Sequence, residues 1–233
     1  MTDIRNFAMW MFANEEDYGE DDRHYYDDRP NPIFSNTFLA TKGAKATIQI
    51  AALGFYVCKI NDQMIDRSVL NGPWTNYQKI VYYDTIDVSP LLKDGENTIE
   101  IELGNGYYNP SPLKYFGKYN LRKTLSEVGT PKVWMQLYIN GELTLKSDWS
   151  WKVREGNVLF NNLFLGEKAD LGKEEFRESE VSCEENTKHL VPRSMEPITE
   201  HERIAPKSFE QTKEGLLVDF QEMISGFIDL RWM

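Results

Sequence analysis

Glu100 and Glu102 are the first residues in this chain whose types and spacing could do chemistry. At positions i and i+2 of an extended segment they project from one face, about 6–7 Å apart. That separation lies near the lower limit for the two carboxyls of an inverting glycosidase. One member of such a pair must have its pKa raised, and nothing near them in sequence would do so. The bland reading is therefore preferred: the two carboxylates are the wet face of an amphipathic strand. Nucleophile–base pairing fares no better. His24, His189 and His201 lie in polar, loop-like stretches, no G-x-S-x-G elbow exists, and neither cysteine neighbours a histidine. The segment beginning at His201 lacks the second histidine of a zinc helix, and Gly104-Asn105-Gly106 lacks the third glycine of a dinucleotide loop. No self-contained catalytic set, cofactor or metal site is expected.

Two aromatic loops carry more information. One is Gly72-Pro73-Trp74-Thr75-Asn76-Tyr77; the other is Gly104-Asn105-Gly106-Tyr107-Tyr108-Asn109, followed by Tyr115, Phe116 and Tyr119. Sugars present C–H faces that stack on flat rings, and hydroxyls that amide side chains can pair with. Trp74, Asn76, Tyr77, Asn105, Tyr107, Tyr108 and Asn109 are thus candidate carbohydrate-binding residues, with Trp74, Tyr107 and Tyr108 as the stacking platform. The competing expectation is that the rings fold inward to plug one end of a sandwich, or pack on a neighbouring domain.

Strands must hold these loops. Residues 7–13 form an apolar run that suits a first strand covered on both faces. Residues 33–41 and 44–52 follow, split by Lys42-Gly43. In the second, Ala46, Ile48 and Ile50 alternate with Thr47 and Gln49, the period of a half-buried strand. Further strands are expected at 55–60, 63–66 and 79–88, the last rich in Val, Ile, Tyr and Thr. Ser89-Pro90 suits a short helical turn with Ser89 as its cap. Residues 94–97 form a turn, and Ile99, Ile101 and Leu103 then face inward from residues 97–103. Asn140-Gly141 joins 132–139 to 142–146 in a hairpin, and strands at 148–154 and 158–165 follow. Residues 172–188 are heavily charged and read as surface. Residues 190–207, with Pro192, Pro197 and Pro206, read as an extended connector. Strands at 216–220 and 226–232 close the chain. About ten short strands with almost no helical period mean an all-β chain. We expect an antiparallel β-sandwich of jelly-roll or galactose-binding-like type, with few short helical turns.

Composition narrows the partners. The 233 residues carry a formal net charge of −11, with 41% hydrophobic and 13% aromatic residues, enough for a packed core. No basic stripe is visible, so neither nucleic acid nor an anionic membrane surface is an expected partner. No run approaches the roughly 18–20 apolar residues of a membrane span. The run at residues 7–13 is a poor signal peptide, being short and followed at once by Glu15-Glu16-Asp17. Eight acidic residues lie between Glu15 and Asp28 without calcium-loop spacing, which makes a solvated loop. Cys58 and Cys183 are too far apart for a disulfide framework, and a buried free thiol is expected at Cys58. A cytoplasmic location fits these features.

In motif order the chain strongly resembles the N-terminal β-sandwich region of the bacterial α-L-rhamnosidase family of glycoside hydrolases. The resemblance rests on Ala52-Leu53-Gly54-Phe55-Tyr56, on Lys59-Ile60-Asn61-Asp62 with Asp62 in place of glycine, and on Gly72-Pro73-Trp74-Thr75-Asn76-Tyr77. It continues through the segment from Tyr83 to Leu92, Gly95-Glu96-Asn97, and Gly104-Asn105-Gly106-Tyr107-Tyr108, where Tyr107 replaces the usual tryptophan. Ser147-Asp148-Trp149-Ser150-Trp151 and Gly166-Glu167-Lys168-Ala169-Asp170 extend it, with Ala169 in place of tyrosine. The ending from Val218 to Phe227 looks like the opening of the family's next β domain, without the glycine after Phe220.

The resemblance implies hydrolysis of terminal α-L-rhamnosides with inversion, by carboxylates on a downstream (α/α)6 barrel that this chain lacks. No catalytic residue carries over. Residues 1–43 are expected to pack on or complete the sandwich, 44–207 to form it, and 208–233 to open a following β domain. The expected role is a non-catalytic accessory sandwich from a truncated or shortened rhamnosidase; the alternative is a stand-alone carbohydrate-binding module. Expected partners are a rhamnose-containing carbohydrate and the remainder of the enzyme, or a second copy meeting an apolar surface, which light scattering would detect.

Overall fold

The computed structural model describes residues 8–14, 22–224, 226 and 228. Most of the acidic loop after Asn14 and nearly all of the last expected strand lie outside the described residues. Along the chain the strands are β1 (Trp10–Phe12), β2 (Pro32–Ala40), β3 (Ala46–Leu53), β4 (Phe55–Ile60), β5 (Gln63–Met64) and β6 (Val81–Asp87). Then come β7 (Gly95–Gly104), β8 (Lys114–Tyr115), β9 (Tyr119–Asn120), β10 (Lys132–Ile139), β11 (Glu142–Lys146) and β12 (Lys152–Glu155). The last are β13 (Val158–Asn162), β14 (Gly166–Ala169), β15 (Glu178–Ser179), β16 (Ser182–Glu184), β17 (Leu190–Pro192), β18 (Ser208–Gln211) and β19 (Leu216–Asp219). Helix is confined to short pieces, of which α1 (Leu121–Thr124) is the one α-helical turn described.

Two sheets make the sandwich. One orders its strands β16-β1-β10-β3-β6-β17, with β11 also on β10; the other runs β15-β12-β2-β7-β4-β5. All pairs within them are antiparallel except β6–β17. The all-β sandwich expected from the strand spacing is the architecture found. Its interior is built by strict alternation: Ile99, Ile101 and Leu103 of β7 meet Ile48, Ile50 and Met135 from the opposite sheet. At about 25 cal/mol per Å² of apolar area removed from water, this cluster is the main stabilising term. A second cluster, holding Trp10, Leu53, Tyr77, Tyr108 and Trp134, covers the other face of β10 and β3. That double cover explains why β10 is buried from Lys132 through Leu137 rather than alternating. Asn140 (φ 51°) and Gly141 (φ 85°) turn the β10–β11 hairpin as the Asn-Gly pair requires. Cys58 is a buried free thiol, and Cys183, half-buried and also free, is pushed up to about 11 by its surroundings.

Several local expectations are corrected. Ser89 is not a helix cap: Val88 occupies that position, and the Ser89 hydroxyl instead accepts from the Ala46 amide at 2.8 Å and donates to Asp87. The charged stretch after residue 172 contains β15 and β16, which extend one edge of each sheet. The expected connector begins with a strand, for Leu190–Pro192 pairs in parallel with Val81–Tyr83. Pro192 fits there because an edge strand can spare a donor. Its neighbour Arg193 donates from its backbone to the Tyr83 carbonyl at 2.9 Å and from Nε to buried Asp84 at 2.7 Å.

The chain divides into two compact units, Met1–Ile198 and Thr199–Met233. The second contains the β18–β19 hairpin, in which Phe209 faces Val218 and Gln211 faces Leu216. Phe209, Leu216 and Leu217 of this hairpin are exposed. Among the described residues no helix is long and apolar enough to cross a membrane.

Candidate functional site

The two aromatic loops meet at one end of the sandwich because glycines let both of their backbones close on Gly54, between β3 and β4. Gly72 has φ 95° and Gly54 has φ 109°. A Cβ on Gly72 would lie 2.1 Å from the Gly54 carbonyl oxygen, and one on Gly54 would lie 2.5 Å from that of Gly104. The bridge between Tyr56 and Asn71 completes the seam.

On that seam the aromatic residues split into an outer and an inner pair. Trp74, 53% exposed, stacks on half-buried Tyr107 with centroids 5.1 Å apart and planes at 21°. Tyr77 and Tyr108 meet edge to face at 5.2 Å inside the second core cluster. The expectation of three rings at the surface is corrected for Tyr108, which is buried. Consecutive residues of the 106–108 turn point opposite ways, so Tyr107 faces out while Tyr108 plugs the sandwich end. Burial pushes the Tyr77 phenol above its ordinary range, and its hydroxyl has no hydrogen-bond partner among the described residues. The Tyr108 hydroxyl donates to Glu127 at 3.1 Å, and Glu127 is also paired with Lys188.

The amides divide in the same way. Asn76 is exposed, and its side-chain oxygen accepts from the Gln78 amide at 3.2 Å in a local turn. Asn105 is locked to Asn161, accepting nothing from it but donating Nδ2 to its carbonyl at 2.8 Å. Asn109 is fully buried: its Nδ2 donates to Asn105 Oδ1 at 2.8 Å, and its carbonyl accepts the Tyr25 hydroxyl at 2.8 Å. Arg122, one residue into α1, donates to Asn109 Oδ1 and lies 5.9 Å over the Tyr25 ring. Asn109 is therefore a structural joint and not a group offered to a ligand. Beside it a cavity of about 400 Å³ is lined by Tyr25, Arg29, Asn31, Asn105, Asn161 and Arg177, among others. Sequence reading missed Tyr25, Arg122 and Asn161, since nothing local links them to the aromatic loops. The Asn161-Asn162 pair ending β13 was the one available signal.

Glu100 and Glu102 sit elsewhere, on the outer face of the second sheet. Glu100 accepts from Arg154 Nη2 at 3.2 Å, and Glu102 accepts from Asn31 Nδ2 at 2.9 Å. His24 pairs with Asp27 at 3.0 Å on the surface, far in sequence from either carboxylate. No group of three or more potential metal ligands occurs among the described residues.

Taken together, the fold and this loop end define an all-β sandwich module whose aromatic seam is mostly structural, with Trp74 exposed against half-buried Tyr107. The family described as "Alpha-L-rhamnosidase N-terminal domain" matches residues 41–208, and the chain belongs to that family. An α-L-rhamnosidase of Formosa agariphila is 27% identical over 199 residues, which cover 79% of this chain and 21% of the relative. One from Streptomyces avermitilis is 28% identical over 137 residues, covering 57% and 13%. The chain thus spans about a fifth of the first relatives' length. Among solved structures, the native α-L-rhamnosidase of Aspergillus terreus superposes with a TM-score of 0.75 at 22% identity, over 94% of this chain and 26% of that one. The Streptomyces avermitilis enzyme complexed with L-rhamnose superposes at 0.68 and 21% identity, over 83% and 20%. At these identities the likeness is one of fold.

Proposed function

We propose that this chain is a non-catalytic, accessory β-sandwich of an α-L-rhamnosidase, the hydrolysis of terminal α-L-rhamnosides being carried out by a separate catalytic part. The observation that carries this reading is the family match across residues 41–208, which coincides with the sandwich strands from β3 to β17. The engagement of Glu100 by Arg154 and of Glu102 by Asn31 supports it, because each carboxylate is oriented by a structural partner. The isolated chain is expected to leave p-nitrophenyl α-L-rhamnoside intact. Release of nitrophenol that disappears in Glu100→Gln would overturn the reading.

A second reading, sugar binding at the loop end, is favoured by one observation: Trp74 offers an exposed ring already held parallel to Tyr107. A preformed platform pays little ordering entropy on binding. Tryptophan emission is expected to shift on titration with L-rhamnose, and Trp74→Ala to abolish the shift. Unchanged emission up to about 50 mM sugar, a range that covers the weakest useful monosaccharide affinities, would remove this reading.

A further inference from the structure

Away from the loop end, the outer face of the second sheet carries a groove of about 320 Å³. That volume is at the small end of ligand pockets, about 300–1,000 Å³. Its floor is set by register. Glu102 of β7 lies between Ile33 of β2 and Val57 of β4, and Glu100 lies between Ser35 and Lys59. Directly opposed residues share a face, so two carboxylates, one ammonium and two aliphatic side chains come together in two adjacent rows. Arg154 reaches over from β12, and Phe176 forms a wall beneath its guanidinium, 5.0 Å from the ring centroid.

The charges in this groove do not simply cancel in neighbouring pairs. Glu100 faces Lys59 across the ladder, yet its Oε1 accepts from Arg154 at 3.2 Å. Lys59 is left exposed with no ion pair among the described residues. Glu102 is oriented through Oε1 by Asn31. Each carboxylate thus has one oxygen fixed by the protein, and its second oxygen makes no hydrogen bond with a described residue. Two carboxylates against Lys59 and Arg154 sum to zero, which disfavours an ionic ligand of either sign. The groove offers acceptors, a free cationic donor and carbon-rich walls instead.

We propose that this groove binds a neutral sugar ring, at a site separate from Trp74 and Tyr107. Glu100 and Glu102 accept from ring hydroxyls, Lys59 donates to one, and Ile33, Val57 and Phe176 meet the C–H side of the ring. The carboxylates act here in recognition and not in hydrolysis. Choosing L-rhamnose as the first probe rests on the rhamnosidase reading; the sugar class rests on the groove.

Amide chemical shifts of the uniformly 15N-labelled chain, titrated separately with L-rhamnose and D-glucose, test the proposal. Saturable shifts at Val57, Lys59, Glu102 and Phe176 are expected, with dissociation constants on the order of millimolar for so open a site. Lys59→Ala should weaken binding about tenfold by removing a charged donor, with the unfolding midpoint unchanged because Lys59 holds no structural partner. Shifts with glucose alone uphold the groove while counting against the rhamnosidase reading. Silence at these residues with both sugars at about 50 mM, or shifts confined to Trp74 and Tyr107, overturns the proposal.

Discussion

Gly72→Ala is expected to destabilise the sandwich by about 2–6 kcal/mol, combining left-handed backbone strain with overpacking. The chain holds Gly72 at φ 95°, and the added carbon would sit 2.1 Å from the Gly54 carbonyl oxygen. That oxygen belongs to backbone, not to the end of a mobile side chain, so relief requires the 72–77 loop and the β3–β4 junction to separate. They cannot part independently, because Gly54 in turn lies against Gly104 and Gly106. For a domain whose whole stability is about 5–15 kcal/mol, this is a large fraction. Gly43 supplies the control. Its φ is 85°, yet a Cβ there meets nothing within 4 Å, so Gly43→Ala carries the strain of about 1–2 kcal/mol without the collision. Urea unfolding of both variants measures the difference. Equal losses would show that the close approach of Gly72 to Gly54 contributes nothing.

Arg193→Ala is the second large effect, a loss of about 3–5 kcal/mol, the usual result of stranding a buried charge. Asp84 pairs with Ile50 across the ladder and so points into the interior, where its side chain is 7% exposed. Its Oδ2 accepts the Tyr56 hydroxyl at 2.8 Å and its Oδ1 accepts Arg193 Nε at 2.7 Å. Removing the guanidinium leaves the carboxylate without its counter-charge and frees the β17 edge that the arginine pins. Burial raises the Asp84 pKa above 3.8, while Tyr56 and Arg193 lower it in partial compensation. The folded state therefore holds this proton more tightly than the unfolded chain. Its stabilising contribution is complete below about pH 3.8 and is lost as pH rises through the folded value. In Arg193→Ala one lowering influence disappears, so the loss of stability toward neutral pH should steepen; in Asp84→Asn it should flatten. Unfolding free energies measured from acid to neutral pH check both signs. An Arg193→Ala variant with wild-type stability at neutral pH would refute the clasp.

Both effects arise from contacts that join distant parts of the chain, and they mark where sequence reading stopped. The alternation of Ile99, Ile101 and Leu103, the Asn140-Gly141 turn, buried Cys58 and the family motifs are encoded within a few residues. They were legible because a strand's period and a turn's torsions are local properties. Which strands would neighbour one another was less so. Leu190–Pro192 reads as linker because its partner Val81–Tyr83 lies far back in the chain, and a proline tolerable at an edge looks like a break.

The aromatic loops divide along the same line. By itself the sequence determined that Trp74, Tyr77, Tyr107 and Tyr108 sit on glycine-rich loops between strands, and that no nucleophile, base or metal set accompanies them in sequence. Only the tertiary structure decided that Trp74 and Tyr107 face outward while Tyr77, Tyr108 and Asn109 are consumed in packing. It likewise turned Glu100 and Glu102 from a pair on one strand into part of the floor of a groove shared by five strands. The physical reason is common to both. A residue's type and spacing set what it can do, but which face is left open depends on backbones brought together from across the fold, and their steric fit is not written in any one segment.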